Sequence, residues 1–209
     1  MRVPRPAPVS DPPPAIDRAD VGARLRRRRQ ANGLTLKELS DRSGVTLSMI
    51  SKAERGEVAL TYDKFAALAR ALGMDFRDLF GQADETSAAG GVSFTPAGQH
   101  VLYRSGNYGY GMLAADLTGK RMVPMRATIS ARRVEDFADY IRHPGEEFVY
   151  LLTGELRICF EDGREALMQP GDSLYFHSST GHIYLSVGAG DAEAIIVCTD
   201  ETGEKKGLV

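Results

Sequence analysis

The sequence predicts a two-domain α + β protein, in which a module of five short helices precedes an all-β domain. Three observations carry that expectation. Apolar residues recur at helical spacing up to about residue 80 and then alternate with polar ones, so the period falls from about 3.6 to 2. Charge changes sign at the same place: residues 1–80 hold 15 Lys+Arg against 10 Asp+Glu, and residues 81–209 hold 11 against 18. Between the two, "GQADETSAAGG" at 81–91 is small and polar, as a flexible linker is. A length of 209 residues with 43% hydrophobic residues is enough to bury two modest cores.

The elements follow in order. Residues 1–19 hold six of the ten prolines and few large apolar groups, which predicts a disordered arm. The helical domain spans 20–80. It begins with Val21 and Leu25 four apart among arginines, and Asn32-Gly33 ends the first helix. Thr35 caps "TLKELSDRS", Gly44 ends it, Thr46 caps "TLSMISKAE", and Gly56 closes that. Thr61 opens "TYDKFAALARAL", Gly73 stops it, and "DFRDLF" makes a fifth short turn. After the linker at 81–91, residues 92–209 supply nine short β-rich segments, "HVLYR", "GMLAADL", "MRATISA", "EFVYLL", "ELRICF", "EALMQ", "SLYF", "HIYLSV" and "EAIIVC", set apart by Gly, Pro or Asp. That many strands at that spacing predict a sandwich or barrel.

No apolar run approaches the ~18 to 20 residues that span a bilayer, and "MRVPRPAPVSDPPP" lacks the apolar centre of a signal peptide. A cytoplasmic protein with no membrane partner is expected. Cys159 and Cys198 sit inside apolar runs and read as small buried hydrophobes.

In "GLTLKELSDRSGVTLSMISKAERG", Leu36 and Leu39 on one helix are spaced to meet Val45 and Ile50 on the next, across a turn at Gly44. This leaves Leu47, Ser48, Ser51 and Lys52 outward at the start of the second helix, where small side chains can enter a major groove. Residues 20–80 resemble the helix-turn-helix module of the Cro/C1 (XRE) regulators, through the capping threonines, Gly44, Ile50 and Glu54-Arg55-Gly56. The resemblance implies that Leu47, Ser48, Ser51 and Lys52 face bases and that Lys37, Thr46 and Arg55 lie near phosphate. Four consecutive arginines, 26 to 29, cover every face of a helix, so at least one must lie along the core by its aliphatic stem.

The strand domain holds "HPGEEFVYLLTGEL", "QPGDSLYF" and "GHIYLSV", which resemble the double-stranded β-helix of the cupin fold; the module order resembles XRE regulators with a C-terminal cupin sensor. The first cupin motif places two histidines one residue apart before a glutamate and a glycine, and here those positions are Ile141, His143, Glu147 and Gly154. A later motif histidine is matched by His182, while the Pro, Gly and Asn around it are His177, Ser179 and Ser186. The resemblance thus implies a possible metal set of His143, Glu147 and His182, for Fe, Zn, Ni or Mn, with one usual ligand absent. A metal-free polar cluster in a barrel mouth is the competing reading.

Alternation adds an effector pocket: Val149 and Leu151 share the face of Glu147, and Tyr184 shares that of His182. Arg126 and Arg142 can bind an anion bidentately, and Tyr108, Tyr110 and Tyr175 can cover it. The function implied is a regulator that binds double-stranded DNA at a palindromic operator as a homodimer, with a small-molecule effector in the barrel modulating that binding, and no catalysis. The alternative is an Fe(II) cupin oxidase, since His143, Glu147, His182 and "NYGYGML" also resemble the fosfomycin-pathway epoxidases.

Overall fold

Helices begin where a side chain can accept from orphan amides and end where the backbone can turn left-handed. In the computed structural model, which describes residues 15–74, 78, 91–117 and 119–199, these signals give four helices. Helix α1 (Arg18–Ala31) starts at Asp17, whose carboxylate accepts from the Ala19 amide at 3.1 Å. Helix α2 (Leu36–Ser43) opens with a capping box between Thr35 and Glu38 and ends at Gly44, which turns at φ 72° where a Cβ would be strained. Helix α3 (Leu47–Glu54) is capped by the Thr46 hydroxyl, which accepts from Met49 at 3.3 Å. Helix α4 (Tyr62–Leu72) follows Thr61, whose hydroxyl caps no amide and donates to Asp63 instead. Five helices were expected and four are described; the fifth, over 75–80, falls almost wholly outside the described residues.

Contacts divide the chain into two units, residues 1–118 and 119–209. In the first, Val21, Leu25, Leu39, Ile50, Leu60, Phe65, Leu68 and Leu72 form a buried core, while Leu36 is only half-buried. Gly22 packs α1 onto α3 so closely that a Cβ would drive into the carbonyl oxygen of Ala53. The same unit contains strand β1 (Ala15–Ile16), parallel to β2 (Val101–Arg104), which pairs antiparallel with β3 (Tyr108–Met112). Ala15 to Ala19 lie in the segment assigned to the arm, yet they form β1 and the first turn of α1, because β2 offers Ile16 a backbone partner and Asp17 can cap. The strand expected at 111–117 instead runs 108–112, since Tyr108 and Tyr110 bury their rings there against one another at 6.0 Å. The hairpin is tied to the helices by Tyr103, whose hydroxyl accepts from the Leu60 amide at 2.7 Å and whose ring packs on Phe65.

The described strands of the second unit all pair antiparallel: β4 (Met122–Ile129), β5 (Glu146–Thr153), β6 (Leu156–Phe160), β7 (Glu165–Met168), β8 (Ser173–His177), β9 (His182–Ser186) and β10 (Ala192–Thr199), with a short 3-10 turn at Val134–Asp136. One sheet runs β4-β10-β5-β8, the other β7-β6-β9. Side chains alternate as the pleat requires: Val123, Met125, Ala127 and Ile129 from β4, and Ala192, Ala194, Ile196 and Cys198 from β10, are buried while their neighbours are not. The two sheets meet through Phe160 and Phe176, whose rings sit 5.2 Å apart edge to face. Arg132 holds the 187–191 turn by donating to the carbonyls of Ser186, Gly188 and Gly190 and to Asp191.

Candidate functional site

Two sites emerge, one per unit. The first is α3. Its inner face, Ile50, Ala53 and Glu54, is buried, while Thr46, Leu47, Ser48, Lys52 and Arg55 are exposed and Ser51 is half-buried. Leu47 is 46% exposed on the first turn of a helix, an unfavourable place for an isobutyl group that has no partner surface. The helix is pinned from behind by Arg29, which donates to Glu54 through Nε at 2.6 Å and Nη2 at 2.8 Å, and to the Leu34 carbonyl at 2.8 Å. Arg28 donates to the carbonyls of Leu72 and Gly73, closing the carboxyl end of α4. Two of the four consecutive arginines therefore brace the module, and Arg26 and Arg27 stay exposed. Lys37 is paired with Asp41 at 2.8 Å, and Arg55 with Glu57 and Ser51. These are exposed pairs worth little, which a phosphate can displace.

The second site lies inside the β unit, where Glu147 on β5, His182 and Tyr184 on β9, and His143 just before β5 converge. His143 Nε2 is 2.9 Å and His182 Nε2 3.3 Å from the same carboxylate oxygen, and the Tyr184 hydroxyl donates to the other at 2.6 Å. All four are buried. The far nitrogens face backbone: His143 Nδ1 lies 3.3 Å from the Pro144 carbonyl and His182 Nδ1 2.9 Å from that of Thr180. A carbonyl and a carboxylate both only accept, so each ring meets an acceptor at both nitrogens: Nδ1–H donates to backbone and Nε2–H to Glu147, and a bound ion would take the place of the Nε2 proton. Burial alone would push the Glu147 carboxyl up, but the bonds from His143 and His182 outweigh it and hold it well below the usual carboxylate range. Phe176 closes on His182 at 4.9 Å, ring to ring. Gly145 makes the approach possible: at φ 100° it lets the chain pass so near Thr199 that a Cβ would overlap its backbone oxygen, and the Glu146 amide donates to the Thr199 hydroxyl at 2.8 Å.

Buried imidazoles, a carboxylate and oriented Nδ1–H groups are what a divalent ion requires, so the cluster is compatible with a metal. Among the described residues, His143, Glu147 and Cys198 bring donor atoms within 4.8 Å of one another. Ile141, at the position of the usual first histidine, is buried, and its backbone pairs with that of His182 through bonds of 3.1 and 3.0 Å.

Comparison with known proteins agrees with this architecture. A helix-turn-helix family profile matches residues 25–79, and a cupin-domain profile matches residues 135–198. The chain joins a helix-turn-helix domain to a cupin domain. Among solved structures, it is similar to an HTH_3 family transcriptional regulator from Vibrio cholerae, with 20% identity, a TM-score of 0.59, and coverage of 88% of this chain and 97% of that one. It also matches hydroxypropylphosphonic acid epoxidase from S. wedmorenis, with 22% identity, a TM-score of 0.46, and coverage of 87% and 98%. At these identities the likeness concerns the fold. Comparison with curated sequences gives no match.

Within the cupin domain, the residues expected around an effector divide. Val149 and Leu151 are fully buried on the Glu147 side of β5, and Tyr184 touches Glu147. Arg126, Arg142 and Tyr175 do not join them. Arg126 is exposed on the outer face of β4, paired with Glu193 at 2.5 Å, because alternation from buried Met125 and Ala127 turns it outward. Arg142 is exposed and bound to Glu161 and Asp139, bracing the loop ahead of His143. Tyr175 is 57% exposed, opposite Phe148 on the outer face. Tyr108 and Tyr110 are buried within the first unit. Cys198 is the site neighbour that sequence reasoning missed: it was read as a buried hydrophobe, and only its register with Glu147 on β5 would have shown its second character. No helix among the described residues is long and apolar enough to cross a membrane.

Proposed function

We propose that the protein is a DNA-binding transcriptional regulator that uses α3 as its reading helix, binds a palindromic operator as a homodimer, and takes a small-molecule effector in the cupin domain. The observation that carries this reading is the outward row Thr46, Leu47, Ser48 and Lys52 on a helix whose opposite face is held rigid by Ile50 and the Arg29–Glu54 pair. Small groups at a helix start reach base edges, Leu47 suits a thymine methyl, and the helix's own amides meet phosphate. An effector changes operator affinity only through different affinity for two states of the dimer, with a coupling of typically about 1–3 kcal/mol.

A specific observation also favours a second reading, an Fe(II)-dependent oxidase: two imidazoles share one buried carboxylate. Genomic DNA selection by the full chain, followed by salt titration of the selected site, decides between the two. An enriched inverted repeat is expected, with affinity falling steeply as salt rises. Lys52→Ala should weaken operator binding and, like Leu47→Ala with Ser48→Ala, relax sequence preference by about 1–3 kcal/mol per lost base contact. No enriched sequence, or binding indifferent to Lys52 and to salt, overturns the regulator reading.

A further inference from the structure

The cupin motif of this chain lacks its usual first histidine, and the structure places another donor beside the remaining ones. Strand β10 pairs with β5 so that Cys198 stands directly across from Glu147. Both side chains point inward, at 1% and 3% exposure. The Cys198 sulfur, a Glu147 carboxylate oxygen and a His143 nitrogen all lie within 4.8 Å of one another. His182 stands beside this trio, in contact with the same carboxylate at 3.3 Å. We propose that Cys198 is a metal ligand, forming with His143 and Glu147 a site for a borderline divalent ion of the zinc class, with His182 the fourth donor once it closes on the ion.

Charge supports this assignment. Imidazoles that bind an ion through Nε2 and keep their protons on Nδ1 are neutral, so Glu147 alone would leave a buried divalent ion with one uncompensated positive charge. A thiolate from Cys198 brings the site to neutrality, which a buried, water-poor place demands. Donor chemistry points the same way: zinc accepts thiolate at about 2.3 Å and imidazole or carboxylate at about 2.0–2.2 Å, and a sulfur donor disfavours magnesium, calcium and manganese. Binding breaks the Cys198 S–H bond and the N–H bond of each Nε2 that becomes a ligand, releases those protons to solvent and forms the S–metal and N–metal bonds, with no electron transferred. Four protein donors close a tetrahedral shell, whereas a catalytic ion keeps a position open for water or substrate. The inference rests on reading the cupin interior as a metal site and is independent of whether α3 binds DNA. Cys159 supplies an internal control: it is also buried, but sits on β6 beside Glu165.

The test uses the full chain stripped of metal and titrated with cobalt(II), then with zinc. The parent and Cys159→Ser should show a near-ultraviolet thiolate-to-cobalt charge-transfer band and strong tetrahedral visible bands. Cys198→Ser should lose the former, weaken the latter and bind zinc more than about tenfold less tightly, since even outer-shell changes cost 10–100-fold. Zinc-edge X-ray absorption on the parent needs no variant and should find one sulfur neighbour at about 2.3 Å. A zinc shell of nitrogen and oxygen alone, a band that survives Cys198→Ser or vanishes in Cys159→Ser, or a parent that binds neither metal overturns the proposal. Operator binding measured on the same preparations reports separately on the regulator reading.

Discussion

The Arg29–Glu54 pair sets the position of α3, and its removal is the sharpest test of how the helical module is held. Both side chains are nearly out of water, at 12% and 5% exposure, and the contact is two-pronged at 2.6 and 2.8 Å. For an intact pair of this kind, attraction and desolvation largely cancel, so its net contribution is small. Glu54→Ala is different, because it strands a largely covered guanidinium with only the Leu34 carbonyl, among its described acceptors, left to accept from it. The cost of an uncompensated buried charge is about 3–5 kcal/mol. Alanine recovers at most about 0.7 kcal/mol through helix propensity, which leaves a loss of about 3 kcal/mol. For a unit of this size that corresponds to a fall of roughly 10 °C in melting temperature. Urea and thermal melts followed by circular dichroism measure it. The double variant Arg29→Met with Glu54→Leu, which removes both charges, should lie within about 1 kcal/mol of the parent. The reasoning fails if Glu54→Ala costs less than about 0.5 kcal/mol, or if the double variant is as damaged as the single one.

Gly22→Ala opposes two effects: the substitution favours helix by about 1 kcal/mol, but its methyl meets the Ala53 carbonyl and forces α1 from α3. The overlap should win by about 2 kcal/mol or more in denaturant midpoints, and a stabilised variant would contradict the packing. In the metal-free cupin domain, Glu147 has a folded-state pKa below its unfolded value of about 4.3, so its stabilisation is complete above that value and is lost as pH falls through the folded one. The stability gap between the parent and Glu147→Gln should therefore narrow as pH drops below about 4.3; a constant gap in acid refutes the hydrogen-bonded carboxylate.

Much of this protein was legible along the chain. Thr35, Gly44, Thr46 and Gly73 mark helix ends by local chemistry that needs no distant partner, and all four act where expected. Alternation placed Val149 and Leu151 on the Glu147 side of β5 because the pleat has a period of two wherever a strand lies. Arg126 and Tyr175 were named for the chemistry of their side chains, which does not say which face of a strand looks inward. The run of arginines at 26–29 required that at least one lie along the core but not which; Arg28 and Arg29 are singled out only when Leu72, Gly73 and Glu54 are brought against them.

The sequence by itself determined the two-part division of secondary structure, the caps, and the residue types able to hold an ion. Only the tertiary structure decided that β10 lies beside β5, and hence that Cys198 faces Glu147. The physical reason is that strand neighbours are chosen by closure of the whole sheet. Hydrogen bonding along an edge is nearly indifferent to side-chain identity, so no local pattern announces which distant strand will take the place.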